Sequence, residues 1–189
     1  MEIATPALEL PRKIWTREEA HALLDTGFPR TDKLELINGD LIGKMKKRPH
    51  VICQHRIQKW LERAFGGQYV EIVAPIDVTG NDNVNNEPEP DLILTAEELQ
   101  SYQTNPQPRD IRLLIEVADS SLALDLNQKA ALYARAAIVE YWVIDLPHQL
   151  VPVHRNPLAG AYRSIVSYSF AQDIAPLAKP DSLFCMDRL

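Results

Sequence analysis

The segment Ile111–Asp145, IRLLIEVADSSLALDLNQKAALYARAAIVEYWVID, decides the fold. IRLLIEV is an apolar run broken inside only by Arg112 and Glu116. DSS offers capping groups, helical spacing follows from about Leu122 to Ala137, and VEYWVID is a second mostly apolar run. Apolar strands joined through a helix form a parallel pair buried on both faces. The expected class is therefore α/β.

Upstream, NNEPEPDLIL (Asn85–Leu94) leads two proline-separated acids into Asp91 and a short apolar strand. Pro88 and Pro90 lack amide donors and keep the preceding residues extended, so Asp91 is delivered in a fixed direction. Glu87 and Glu89 read as solvent-facing neighbours. QYVEIVAPIDV is an extended segment interrupted by Pro75, and turn-rich loops surround TGNDNVNNEPEP and YQTNPQPRD.

Near the N-terminus, Thr16 to Glu19 forms a capping box that opens a short helix ended by Gly27. KLELINGDLIGKM then alternates apolar residues about Asn38-Gly39, a strong hairpin signal. From about Val51 to Phe65, Cys53, Ile57, Trp60, Leu61 and Ala64 recur at helical spacing, with Arg56, Lys59 and Arg63 on another face. Downstream, QLVPVHRN and GAYRSIVSY suit an antiparallel extension.

A chain of 189 residues, 46% of them hydrophobic, fits a single domain over 1–189 with its core at about 16–176. No secretory signal and no apolar stretch of membrane-spanning length is present, so a cytoplasmic protein is expected. Cys53 and Cys185 lack the spacing of a cysteine-based zinc site and read as packing residues. The net charge of −6 argues mildly against a protein that coats nucleic acid. Charge is nonetheless uneven: Lys44, Lys46, Lys47, Arg48, Arg56, Lys59 and Arg63 cluster within GKMKKRPHVICQHRIQKWLER. That run is either a substrate-facing basic patch or an ordinary solvated face.

The chemistry follows from strand periodicity. Glu116 shares a face with Leu114 and Ala118 and projects from the end of its strand, as Asp91 does from the edge of its own. If the two strands are neighbours, their carboxylates converge and repel unless a cation lies between them. Mg2+ suits such a pair, because it takes one or two carboxylates, keeps several waters and commonly meets phosphate. Lys129 is the candidate catalytic cation, with Asp125 and Tyr133 on the same helical face; the alternative is a surface Asp-Lys pair. His50 and His55 do not share a helix face, Cys53 lies on the apolar one, and Tyr141-Trp142 reads as core. No phosphate-binding glycine loop is present.

The blocks ELINGDLI, RPH opening a helix, EPEPDLIL, LLIEVADSS and DLNQKAALYARAAIVEYWVID resemble, in order and spacing, the Uma-two family of the PD-(D/E)XK, restriction-endonuclease-like superfamily. The resemblance covers about Thr16 to Pro176. It implies a restriction-endonuclease-like mixed central sheet flanked by helices, with an N-terminal helix and a β-hairpin. Pro90-Asp91 matches the PD element and Glu116 the second acid, so both would bind metal, joined by the Val117 carbonyl. The usual lysine position is Ala118 here; Lys129 matches the family lysine on the following helix instead. Glu35 matches an acid near the hairpin and would bind metal directly or through water. His50 matches a histidine at the helix start, suited to phosphate contact, capping or packing. Ala137 and Val139 replace a Gly and a Pro common in relatives, which would reshape that turn.

The expected protein is a Mg2+-dependent endonuclease, with Mn2+ as a substitute, hydrolysing DNA phosphodiesters through Asp91, Glu116, Lys129 and Glu35. Lys46, Lys47, Arg48 and His50, together with the loop Thr79 to Glu89, are the expected substrate contacts. The alternative is a non-cleaving nuclease-fold module that binds nucleic acid or a protein partner. A homodimer is compatible with the fold class, and no membrane association is expected.

Overall fold

The computed structural model describes residues 12–27 and 34–189. Lys33, the first residue of the expected hairpin stretch, lies outside the described residues. Strand β5 (Ile111–Ala118) is the centre of a six-stranded sheet in the order β3-β4-β5-β6-β7-β8, with β3 Val70–Ile72, β4 Leu92–Thr95, β6 Glu140–Asp145, β7 Leu150–Leu158 and β8 Ala161–Ser169. Only β5 and β6 pair in parallel; every other neighbour is antiparallel. This is the mixed sheet expected from strand, helix, strand followed by an antiparallel tail. All of β6, and all of β5 except Arg112, is buried, as a parallel pair covered on both faces requires.

Helix α1 (Arg17–Asp25) has the expected capping box: the Thr16 side chain accepts from the Glu19 amide, and the Glu19 carboxylate accepts from the Thr16 amide. Helix α2 (Arg48–Phe65) starts one turn earlier than its apolar spacing suggested, because Pro49 is tolerated in a first helical turn. Its Cys53, Ile57, Trp60 and Leu61 pack on Leu92, Leu94, Leu113, Ile115, Val117, Trp142 and Ile144 on one face of the sheet. The other face, which carries Ile93, Leu114, Ala118, Tyr141 and Val143, is covered by helix α3 (Ala130–Arg135) through Leu132 and Tyr133.

The hairpin of β1 (Leu34–Ile37) and β2 (Asp40–Gly43) turns at Asn38-Gly39, both in the left-handed region at φ 49° and 77°, the backbone of a type I′ turn. It is not a free flap. The Glu87 amide donates to the Leu36 carbonyl at 2.8 Å, Gly39 donates to Asn85 at 2.8 Å, and the Asn38 amide meets the Asn86 side chain at 2.7 Å. Arg17 reinforces this by reaching Asp77 at 2.6 Å and the Asn86 carbonyl at 2.7 Å. The loop expected to meet substrate therefore spends Asn83, Asn85, Asn86 and Glu87 on internal contacts. Glu87 and Glu89 are likewise not simply solvent-facing: Glu87 pairs with His21 and Arg17, and Glu89 with Lys44.

Two local features depart from expectation. The helix between β5 and β6 ends at Arg135, and Leu124–Lys129 forms a π-helical turn in which the Ala130 amide reaches the Asp125 carbonyl. After it, Ala137 takes φ 59°, Ala137 donates to Ala134 and Ile138 to Tyr133. That is a Schellman closure with alanine at the position glycine favours. The turn keeps the glycine-type backbone instead of being reshaped.

Candidate active site

Strands β4 and β5 pair with Leu92 opposite Ile115 and Ile93 opposite Leu114. One step further along that antiparallel register sets Asp91 across from Glu116. The Asp91 amide donates to Glu116 Oε2 at 3.3 Å, and Asp91 Oδ2 accepts the Val117 amide at 2.8 Å. Asp91 Oδ1 meets Lys46 Nζ at 2.6 Å and His50 Nε2 at 3.1 Å. Gln54, one turn after His50 on α2, donates to the Asp91 carbonyl at 3.0 Å and accepts from Lys46 at 3.2 Å.

Glu116 Oε1 accepts from Lys129 Nζ at 2.9 Å and from the Tyr133 hydroxyl at 3.2 Å. Lys129 also lies 2.9 Å from Glu35 Oε1 and 3.9 Å from Asp125 Oδ1. The hairpin and the π-helical turn bring these groups together. Glu35 lies two residues before Ile37, which packs under α3, so it shares that inward face. The π turn directs both Asp125 and Lys129 inward, and the Tyr141 hydroxyl donates to the Asp125 carbonyl at 3.1 Å; such turns are frequent at functional sites. Ser121 Oγ donates to Asp125 Oδ2 at 2.6 Å. Lys129 is 3% exposed, so the surface Asp-Lys pair that spacing left open is not what forms. The acids and Lys129 line a cavity of about 290 Å³ whose wall also includes Lys44, Met45, Lys46 and Ser120.

The model of the family described as "Uma2: Putative restriction endonuclease" matches residues 17–181. The chain belongs to this family. The Uma2 match takes in every residue of the cluster from Glu35 to Tyr133. Among solved structures, the chain is similar to "a putative nuclease belonging to DUF820 from Anabaena variabilis ATCC 29413", with TM-score 0.67 and 14% identity over 89% of this chain and 94% of that one. At that identity the likeness concerns the fold. No curated protein matches the chain.

Within this Uma2 chain, the electrostatics of the two acids diverge. Burial raises the Asp91 carboxyl, but the hydrogen bond and charge of His50, and then the Lys46 ammonium, outweigh it and hold the group at about 2. Glu116 is pushed well above the usual carboxylate range, first by burial and then by Asp125, Asp91 and Glu35, although the Lys129 ammonium pulls the other way. Asp125 rises to about 6, also mainly through burial. Burial opposes the Lys129 charge, yet the surrounding Glu116, Glu35 and Asp125 raise its pKa and keep it an ammonium. So many carboxyls around one buried ammonium cannot all ionise without a further cation.

Of the residues singled out from the sequence, Asp91, Glu116, Lys129, Glu35, His50 and Lys46 converge. Val117 reaches the site through its amide. Lys47 stays outside, paired with Asp119 at 3.1 Å and 66% exposed, and Arg48 lines a separate surface hollow beside Pro49 and Arg56. Cys53 is buried and its thiol is raised to about 12, which removes it as a nucleophile. Gln54 and Ser121 were missed. A signal for Gln54 exists: it lies four residues after His50, on the buried stripe of α2. Nothing local distinguishes Ser121 from an ordinary capping serine.

The donor chemistry of Asp91 and Glu116 fits a hard divalent ion, since two oxygen ligands plus waters suit Mg2+. Among the described residues, no three His, Cys, Asp or Glu side chains are placed to hold an ion jointly, so waters and backbone would complete the shell.

Proposed function

We propose that the protein is a Mg2+-dependent endonuclease that hydrolyses DNA phosphodiester bonds, with 1–189 acting as one domain. The observation that carries this reading is the cross-strand pair Asp91–Glu116 set against a buried lysine. Membership of a family described in restriction-endonuclease terms supports the nucleic-acid substrate.

A divalent ion bound there would polarise a phosphodiester and lower the pKa of an attacking water. Asp91 and Glu116 would hold it, with Asp91 already ionised at any physiological pH. Lys129 stays charged, so it serves as a fixed positive donor that orients the water and faces developing phosphate charge; a general base would need the neutral amine. Glu35, bound to Lys129 and to the Glu89 amide at 3.2 Å, fixes the angle of that lysine. Among the described residues no helix is long and apolar enough to cross a membrane.

The test is cleavage of a supercoiled plasmid with Mg2+ or Mn2+. Asp91→Asn and Lys129→Ala are each expected to lower the rate by at least about a hundredfold, the order seen when a preorganised charge-stabilising group is lost. Undiminished cleavage by Asp91→Asn would sink the reading. A second reading, a module that binds without cutting, draws on the Lys46 and His50 contacts that already satisfy Asp91. It predicts DNA binding with no calorimetric signal for Mg2+.

A further inference from the structure

Residues 44–47 run between β2 and α2 without helix or strand, and they bring Lys44 onto Glu89 and Lys46 onto Asp91. The two lysines at the acid pair differ sharply. The Lys129 side chain is 4% exposed and closed between Glu35 and Glu116, so its departure would strand buried charge. The Lys46 side chain is 24% exposed, springs from irregular backbone and lines the cavity mouth. It can leave by rotating its own stem, with no element unfolding.

The Asp91 oxygens are also unequal. Oδ2 accepts one bond, from the Val117 amide, whereas Oδ1 carries two, from Lys46 Nζ and from His50 Nε2. Of these three partners only Lys46 is a partly exposed side chain on irregular backbone, so His50 and Val117 can keep their bonds while Lys46 departs. A divalent ion held by the Asp91 carboxylate would lie within a few ångströms of the Lys46 ammonium, where the two positive charges repel, so the two compete for one carboxylate. We infer that Lys46 is a displaceable counter-cation, which holds Asp91 while the divalent ion is away and, once displaced, turns to a phosphate oxygen of the nucleic acid in the cavity. This rests on the function proposed above. It gives Lys46 two successive partners of the same charge sign, both within reach of one flexible stem. It also couples the two ligands: a phosphate that draws Lys46 away frees Asp91 for the ion, and the ion frees Lys46 for phosphate, as reciprocal linkage demands.

The experiment is calorimetric titration of Mn2+ into the wild-type protein, Lys46→Met and Lys46→Arg, followed by steady-state cleavage of an oligonucleotide duplex. Lys46→Met is expected to bind Mn2+ about tenfold more tightly, because the ion no longer breaks a charge-assisted hydrogen bond. The same variant should show a raised KM for the duplex. Lys46→Arg, which keeps the charge, should stay near wild type in Mn2+ affinity. A merely structural lysine would not improve metal binding when removed. Mn2+ affinity that is unchanged or weaker in Lys46→Met overturns this inference alone, whereas failure of the wild type and both variants to bind Mn2+ overturns it together with the proposed function.

Discussion

Strands β5 and β6 carry two buried glutamates that have been treated oppositely. Glu140 opens β6 on the α2 face, wholly buried, and every strong contact it makes is a donor. Arg155, directly opposite on β7, reaches Oε1 with Nε at 2.8 Å, Trp142 Nε1 adds a bond at 2.9 Å, and the Leu177 amide meets Oε2 at 2.8 Å. One carboxylate faces one guanidinium, and the charge closes. Glu116, near the far end of β5 on the α3 face, shares one buried ammonium with Glu35 and Asp125 and sits against Asp91 as well. There the negative charge is in excess. A balanced buried pair clamps structure, here the tail that carries Leu177. An unbalanced one retains a demand for positive charge, which is what a cation-binding site offers.

The comparison breaks most easily at Glu140. Glu140→Ala leaves Arg155 and two N–H donors without their acceptor, and is expected to cost about 3–5 kcal/mol in urea denaturation while the folded protein keeps its Mn2+ affinity. A loss below about 1 kcal/mol would mean that the clamp is ornamental.

The opposite sign is expected at Asp125. Its carboxyl rises from 3.8 to about 6 on folding, so the stability it contributes is complete below the ordinary value and lost as pH rises through about 6. Asp125→Asn mimics the protonated form and can still accept from Ser121. It should be more stable than wild type at pH 8 by about 1–2 kcal/mol, with the advantage gone at pH 4. Equal pH dependence of the two melting curves would show that the cluster is already balanced.

The smallest effect is a control in the turn that precedes β6. Ala137 holds φ 59° and lines a hollow that neither glutamate lines. Ala137→Gly should raise stability by about 0.5–1 kcal/mol, the left-handed penalty of alanine less the added freedom of glycine in the unfolded chain. Cleavage should be unaffected. A shift in activity would tie this turn to the site and blur the distinction between the clusters.

Much of this was legible in the residues. The hairpin at Asn38-Gly39, the capping box at Thr16 and the parallel pair of apolar runs follow from local rules of backbone geometry and periodicity, and the structure has all of them. Asp91 and Glu116 were legible as edge carboxylates because strand parity is a property of each strand alone. What parity could not supply was register. Asp91 meets Glu116 because β4 and β5 pair with Leu92 opposite Ile115, a long-range choice set by which side chains fill the core. Nor did helical spacing reveal the π turn, since one extra residue per turn leaves the apolar pattern nearly intact. The loop Thr79 to Glu89 looked available in the sequence and proved to be occupied by the hairpin and Arg17.

The sequence by itself determined the element types, the buried strand pair, the family and the acids and lysine that meet in the cluster as candidates, because those depend on local propensity and period. The tertiary structure alone decided which lysine is enclosed and which is partly exposed. Lys129 and Lys46 are chemically identical, and only burial between Glu35 and Glu116 for one, against a partly exposed place on irregular backbone for the other, separates them.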